Sequence, residues 1–296
     1  MDGLSWIEFI EFFHYAIAAT LIAGVICPLV GAFLLVRRTG FYGIALPQFA
    51  AAGIACGFVV MPWLEAQLHV DLGASAMASG EHAALNAHLF WAGLFTFGGL
   101  TLLTLARSSG TETARIAAAF AIASAATVLF AHASPVGDIY VHELLRGEIL
   151  AIGLHELDTL AVVLGAVALS VLVLHRDFAL VSYDREQARV LGLQVRRREL
   201  LLQLLTGATV ATGVMTVGPV VLFGFLVIPP LSARALARSM TGFLRLSTLL
   251  GLLSALLGLA LSKELDWPLG PAVVVASTLV WMICAACHSL RRAPRP

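Results

Sequence analysis

Charge is the scarcest property of this chain. Only 12% of its 296 residues are Asp, Glu, Lys or Arg, whereas 59% are hydrophobic; a soluble domain carries about 25% charged residues. That composition cannot build a water-facing surface, so the chain is read as a polytopic membrane protein, all-α because its apolar runs have the length of spanning helices. Lysine is nearly missing, with Lys263 in LSKELDWP standing alone. A phosphate-cradling loop ends its Gly-rich turn in a lysine, so ATP hydrolysis by this chain is not expected and it is not read as an enzyme. Carboxylates are missing from the apolar runs: no Asp or Glu occurs within 12–64, 82–111, 113–137, 159–176, 200–263 or 267–296. Carriers driven by an ion gradient place an acid inside the membrane, and its absence disfavours that mechanism. Active transport would then draw its energy from another subunit; a channel needs none.

Other features are absent too. The start, MDGLSWIEFIEFF, offers Asp2, Glu8 and Glu11 where a cleavable signal has basic residues, so the first helix is expected to stay. Cysteine is limited to Cys27, Cys56, Cys284 and Cys287, all within apolar runs. The CxxC of Cys284 and Cys287 has no second pair to complete a zinc site, and all four read as small packing residues. The formal net charge of zero gives no reason to expect a nucleic-acid partner.

Apolar runs of about 20 residues mark the spans. They fall near 12–36, 42–61, 88–106, 114–134, 157–175, 200–218, 220–237, 246–263 and 271–290, giving eight to nine transmembrane helices in one transmembrane domain, 1–296. Outer loops are expected at about 62–87 and 135–156, the latter too polar to span, and a cytoplasmic loop at about 176–199. Placing the N-terminus outside and the C-terminus in the cytoplasm puts sixteen of the eighteen basic residues inside, leaving Arg146 and Lys263 outside, as the positive-inside rule requires. Thirteen of the eighteen acids then lie outside, so the neutral total hides a surplus of eleven charges of each sign at opposite faces. An acidic outer face concentrates cations and suits a partner with a basic rim; it also simply keeps loops wet. Seven of the nine histidines, from His14 to His155, share that outer half, but none has a tight ligand spacing.

Three stretches carry further information. In the cytoplasmic loop HRDFALVSYDREQARVLGLQVRRREL, Ser182 is expected to cap a short helix whose first turn holds Asp184 and Glu186, with Gly192 ending it. Such a helix at the inner surface fits a docking element, or an interfacial helix on anionic lipid. The segment VGPVVLFGFLVIPPLSARALARS sets Gly218, Pro219, Gly224, Pro229 and Pro230 in apolar sequence; broken backbone inside a membrane is tolerated where protein or a water-filled cavity covers it. In FYGIALPQFAAAG, Pro47 and Gln48 interrupt the second span.

In order and spacing, VRRTGFYG, LLRGEIL with Glu148, YDREQARVLGL, VGPVVLFGFLVIPPLSARALA and WPLGPAVV make the chain resemble the permease subunits of metal-uptake ABC importers, over about residues 12 to 290. That family takes up zinc, manganese or iron, and Glu148 stands where its aspartate is usual. The resemblance implies a bacterial inner-membrane homodimer, or a pair with a sister permease, with one path between protomers working by alternating access. It implies two cytoplasmic ATPase subunits that use the ATP, this chain binding no cofactor, and an extracytoplasmic substrate-binding protein. Tyr183, Asp184, Glu186, Ala188 and Gly192 become the ATPase-coupling residues. Ile44, Pro47, Gln48, Glu148 and Pro229 become candidates for the path. The chain departs from the family's G-D-x-x-x-H element, whose ion-handling aspartate and histidine are Ile44 and Gln48 here, so no metal ligand is assigned. Three readings of Gln48 stay open: a neutral oxygen for a metal or its water, a reader of a chelated substrate, or a structural amide that bonds the Gly43 carbonyl freed by Pro47 or a neighbouring helix. A metal chelate or other small solute is thus the alternative cargo, and a channel or ion-coupled carrier the alternative class.

Overall fold

The computed structural model describes residues 5–37, 42–68, 82–105, 112–134, 138–139 and 152–292. Its principal helices are α1 (Trp6–Phe12), α2 (His14–Val36), α3 (Tyr42–Leu68), α4 (His82–Leu105), α5 (Glu112–His132), α6 (Leu154–Tyr183), α7 (Arg185–Val190), α8 (Val195–Val217), α9 (Pro219–Leu236), α10 (Met240–Leu265) and α11 (Leu269–Arg292). Among the described residues there is no strand. Among the described residues nine helices, all of those named but α1 and α7, are long and apolar enough to cross a membrane, and each coincides with one of the expected runs.

The boundaries differ where charge was read as an end. Helix α6 runs on through His175, Arg176 and Asp177 to Tyr183, because Asp177 pairs with Arg198 of α8 at 2.9 Å and need not face away from the bundle. Helix α3 continues past Pro62 to Leu68. The first expected span is α2, and the short helix α1 precedes it as a separate piece. A capping box joins Ser5 and Glu8 at the start of α1, and α2 begins anew after Phe13. The Ser5 backbone N–H and hydroxyl hold the Glu8 carboxyl below its ordinary range.

Helix α2 packs against α6, α9 and α10, α3 against α4 and α5, α11 against α9 and α10, and α8 joins α4 to α6. In the membrane windows of α2, α3 and α8, 67%, 72% and 67% of residues are buried, against 28% for α5 and 22% for α6, so α5 and α6 form the outer surface. Two of the prolines inside these helices, Pro28 and Pro230, are paired with glycines across the contact. Pro28 deprives the Gly24 carbonyl of its donor one turn back, and a Cβ on Gly251 of α10 would collide with that oxygen. Pro230 does the same to the Leu226 carbonyl, which sits where a Cβ on Gly31 of α2 would be. Small residues thus let neighbouring backbone cover the broken turns. Three buried threonines of α8 are locally satisfied: the hydroxyls of Thr206 and Thr209 donate to the carbonyls of Leu202 and Leu205, both at 2.8 Å, and that of Thr216 to the Thr212 carbonyl at 3.1 Å.

The two ends have opposite character. Arg37 and Arg185 flank Glu199 at 3.5 and 2.6 Å, tying together the ends of α2, α7 and α8. At the far end of α10, the Lys263 ammonium stands 3.8 Å above the Trp6 ring. Among the described residues, Arg37, Arg185, Arg189 and Arg198 are gathered at one end, and Lys263 lies at the other.

Candidate functional site

At the arginine-rich end the chain turns from α6 into the short helix α7. Its cap is Asp184, whose carboxylate accepts from the Gln187 N–H at 2.9 Å. This corrects the assignment of Ser182, which is still inside α6; the long helix carries the start of the next one two residues further. Gly192 does end α7. It adopts φ +80°, its N–H donates to the Arg189 carbonyl at 2.9 Å and the Leu193 N–H to the Ala188 carbonyl at 3.0 Å, the paired bonds of a Schellman motif. Only glycine takes that φ without cost. Ala188 is fully buried between Val181 of α6 and Val195 of α8, so this helix is seated on the bundle and not a loose loop.

The five coupling candidates therefore divide. Tyr183 is 70% exposed, and Glu186 is exposed while pairing with Arg189 at 2.6 Å. Asp184, Ala188 and Gly192 shape and seat the helix. Sequence reasoning missed Val190 and Leu191, which are 86% and 64% exposed. Two large apolar side chains stand in water at the tip of a clamped helix, in a run otherwise rich in charge. The signal was present in the sequence as the VLG that ends the charged stretch.

The second set lies on α3. Helix α3 passes through Pro47 without breaking. Tyr42, Gly43, Ala45, Leu46 and Pro47 are buried, whereas Ile44 and Gln48, one turn apart, are only half-buried. Gly43 faces α9, where a Cβ would meet Val227 at 3.0 Å, and Phe49 faces Gly99 of α4. The amide of Gln48 is thus on a side of α3 that the chain itself leaves partly open. The expectation that it bonds the Gly43 carbonyl or a neighbouring helix is not met: among the described residues, Gln48 makes no hydrogen bond. Pro229 is buried in α9, on the same helix as the Leu226 carbonyl that meets Gly31. Glu148 lies outside the described residues. Among the described residues no group of three or more His, Cys, Asp or Glu is placed to hold a metal ion.

The comparisons with known proteins agree with this architecture. The chain is 25% identical over 283 residues to the chelated iron transport system membrane protein YfeD of Yersinia pestis, covering 92% of this chain and 84% of that one. It is 24% identical over 288 residues to the manganese import system permease protein ScaB of Streptococcus parasanguinis, covering 96% and 92%. Its fold is similar to a chain of PsaBC from Streptococcus pneumoniae in complex with Fab, with a TM-score of 0.74, 20% identity, and coverage of 94% and 93%. It is also similar to an inward-facing metal-chelate type ABC transporter, with a TM-score of 0.71, 20% identity, and coverage of 94% and 88%. Residues 9–288 match the ABC 3 transport family, and the chain, a multi-pass membrane permease subunit, belongs to that family.

Proposed function

We propose that this chain forms the transmembrane path of an ATP-driven importer of divalent transition metals in the bacterial inner membrane, with manganese, iron and zinc as the candidate cargo. The observation that carries this reading is α7: a surface helix locked by Asp184, Ala188 and Gly192 that holds Val190 and Leu191 out into water at the arginine-rich end. Exposed apolar side chains on a rigid element make an anchor for a soluble partner, here a cytoplasmic ATPase subunit on each of two permeases. Two copies of the chain, or this chain and a sister permease, would close the open side of α3 that bears Ile44 and Gln48. A binding protein would deliver cargo at the acidic face. The relatives named for manganese and iron support this choice of metals.

A chelated metal is the second reading, favoured by one observation. Ile44 and Gln48 bring an apolar group and a neutral amide to the place where a bare cation would be met by a carboxylate and an imidazole. Reconstitution with the ATPase in vesicles tests the mechanism. Uptake should require ATP and be indifferent to an imposed membrane potential; potential-driven uptake without ATP would establish a carrier or channel instead.

A further inference from the structure

The outer surface of the bundle carries a groove of about 500 Å³ between α2, α6 and α10, at the arginine-rich end. Its walls are Leu29 of α2, Val171 and Leu172 of α6, and Leu244 and Leu249 of α10. Its polar lining is Thr241, Arg245 and Thr248 of α10 and His175 of α6, with the Thr248 hydroxyl already donating to the Leu244 carbonyl. From Thr241 to Leu249 the groove follows α10 for eight residues, about 12 Å at 1.5 Å per residue, most of one leaflet of a ~30 Å hydrocarbon core. An apolar trough of leaflet depth, closed at the water side by a guanidinium, has the division of chemistry of a phospholipid.

We infer that this groove binds an anionic phospholipid, its phosphate on Arg245 and the Thr241 hydroxyl and one acyl chain along Leu172 and Leu249. Arg245 is exposed and forms no ion pair among the described residues. The described carboxylates at this end are committed elsewhere: Asp177 to Arg198, Asp184 to the Gln187 N–H, Glu186 to Arg189, and Glu199 to Arg37 and Arg185. Thr241 stands in the first turn of α10, where the helix dipole also favours an anion. His175 donates its Nδ1–H to the Leu172 carbonyl at 2.7 Å, which fixes the ring at the rim of the groove. A second copy of the chain is the poorer occupant, since the groove's own lining would bring another Arg245 and no acid. Basic pockets between helices on the cytoplasmic side are the recurrent form of such sites.

The test uses the full-length chain in non-ionic detergent, titrated with dioleoyl phosphatidylglycerol or dioleoyl phosphatidylcholine while thermal unfolding is followed. Phosphatidylglycerol should raise the midpoint saturably and phosphatidylcholine should not. Arg245→Gln should raise the half-saturating phosphatidylglycerol about fivefold, the weight of one cationic side chain near an anionic surface, and Arg245→Lys should restore most of the response. Leu249→Trp, which fills the groove and leaves the arginine, should abolish saturation and keeps the proposal open to refutation if Arg245→Gln misfolds. Equal responses to both lipids, or an unaltered Arg245→Gln titration, would overturn it. So would efficient disulfide crosslinking of two copies through Leu249→Cys in membranes, which would show that protein covers the groove. None of these outcomes depends on which cargo the permease carries.

Discussion

The Leu226 carbonyl lies against Gly31, in the space a side chain would need. Pro230 frees that carbonyl within α9, and α2 covers it only because residue 31 has no Cβ. Gly31→Ala should therefore force the two helices apart. The expected destabilisation is about 1–3 kcal/mol, the usual cost of overpacking, read as a lower unfolding midpoint in detergent. Gly93→Ala in α4, where nothing lies within 4 Å of the added methyl, should leave the midpoint unchanged. Equal effects would show that the contact is not close-packed.

The start of α7 tests which residue caps it. Asp184→Ala should weaken the helix by about 0.5–2 kcal/mol, seen as faster hydrogen exchange at the Gln187 amide. Ser182→Ala should not change that exchange, because Ser182 belongs to α6. The reverse pattern would restore Ser182 as the cap.

At the other end of α7, Gly192→Val imposes a left-handed conformation on a β-branched residue, at roughly 1–2 kcal/mol. The Leu193 amide should lose protection, and assembly with the ATPase should fall as the anchor loses its fixed direction. Full protection in the variant would mean that the Schellman turn does not hold α7.

Val190→Asp and Leu191→Asp change only what the helix shows to water. Unfolding midpoints should stay near that of the unaltered chain, while co-purification of the ATPase should be lost. Ala188→Leu should lose the ATPase by a different route, since overpacking against Val181 and Val195 unseats the helix and should cost about 1–3 kcal/mol as well. An ATPase that still co-purifies with both aspartate variants would remove α7 from the coupling role.

Gln48→Leu separates path from scaffold. With no hydrogen bond to lose among the described residues, the folded yield should not drop, and uptake should. Unchanged uptake with unchanged yield would take Gln48 off the path.

Most of the fold was legible because a membrane span leaves a long, continuous signal: nine apolar runs became nine helices. The ends were less legible. Asp177 reads as a boundary until Arg198, more than five turns of sequence away, is seen to receive it. In the segment between α6 and α8, Asp184 and Gly192 announced a helix by local chemistry, yet its buried and exposed faces were hidden. Whether Ala188 or Val190 turns inward is decided by Val181 and Val195, which belong to the helices on either side. Ser182 and Asp184 are both good cap residues, and only the length of α6 chooses between them. Gln48 was conspicuous as a polar residue in an apolar span, but a sequence cannot show that its amide has no partner among the described residues.

The most direct measurement is the cellular content of manganese, iron and zinc by elemental analysis after deleting and restoring this chain. Loss of at least one of these metals on deletion, recovered by the unaltered chain and not by Val190→Asp, is the expected result. Unchanged levels of all three under metal limitation would contradict the assignment of this permease to metal import.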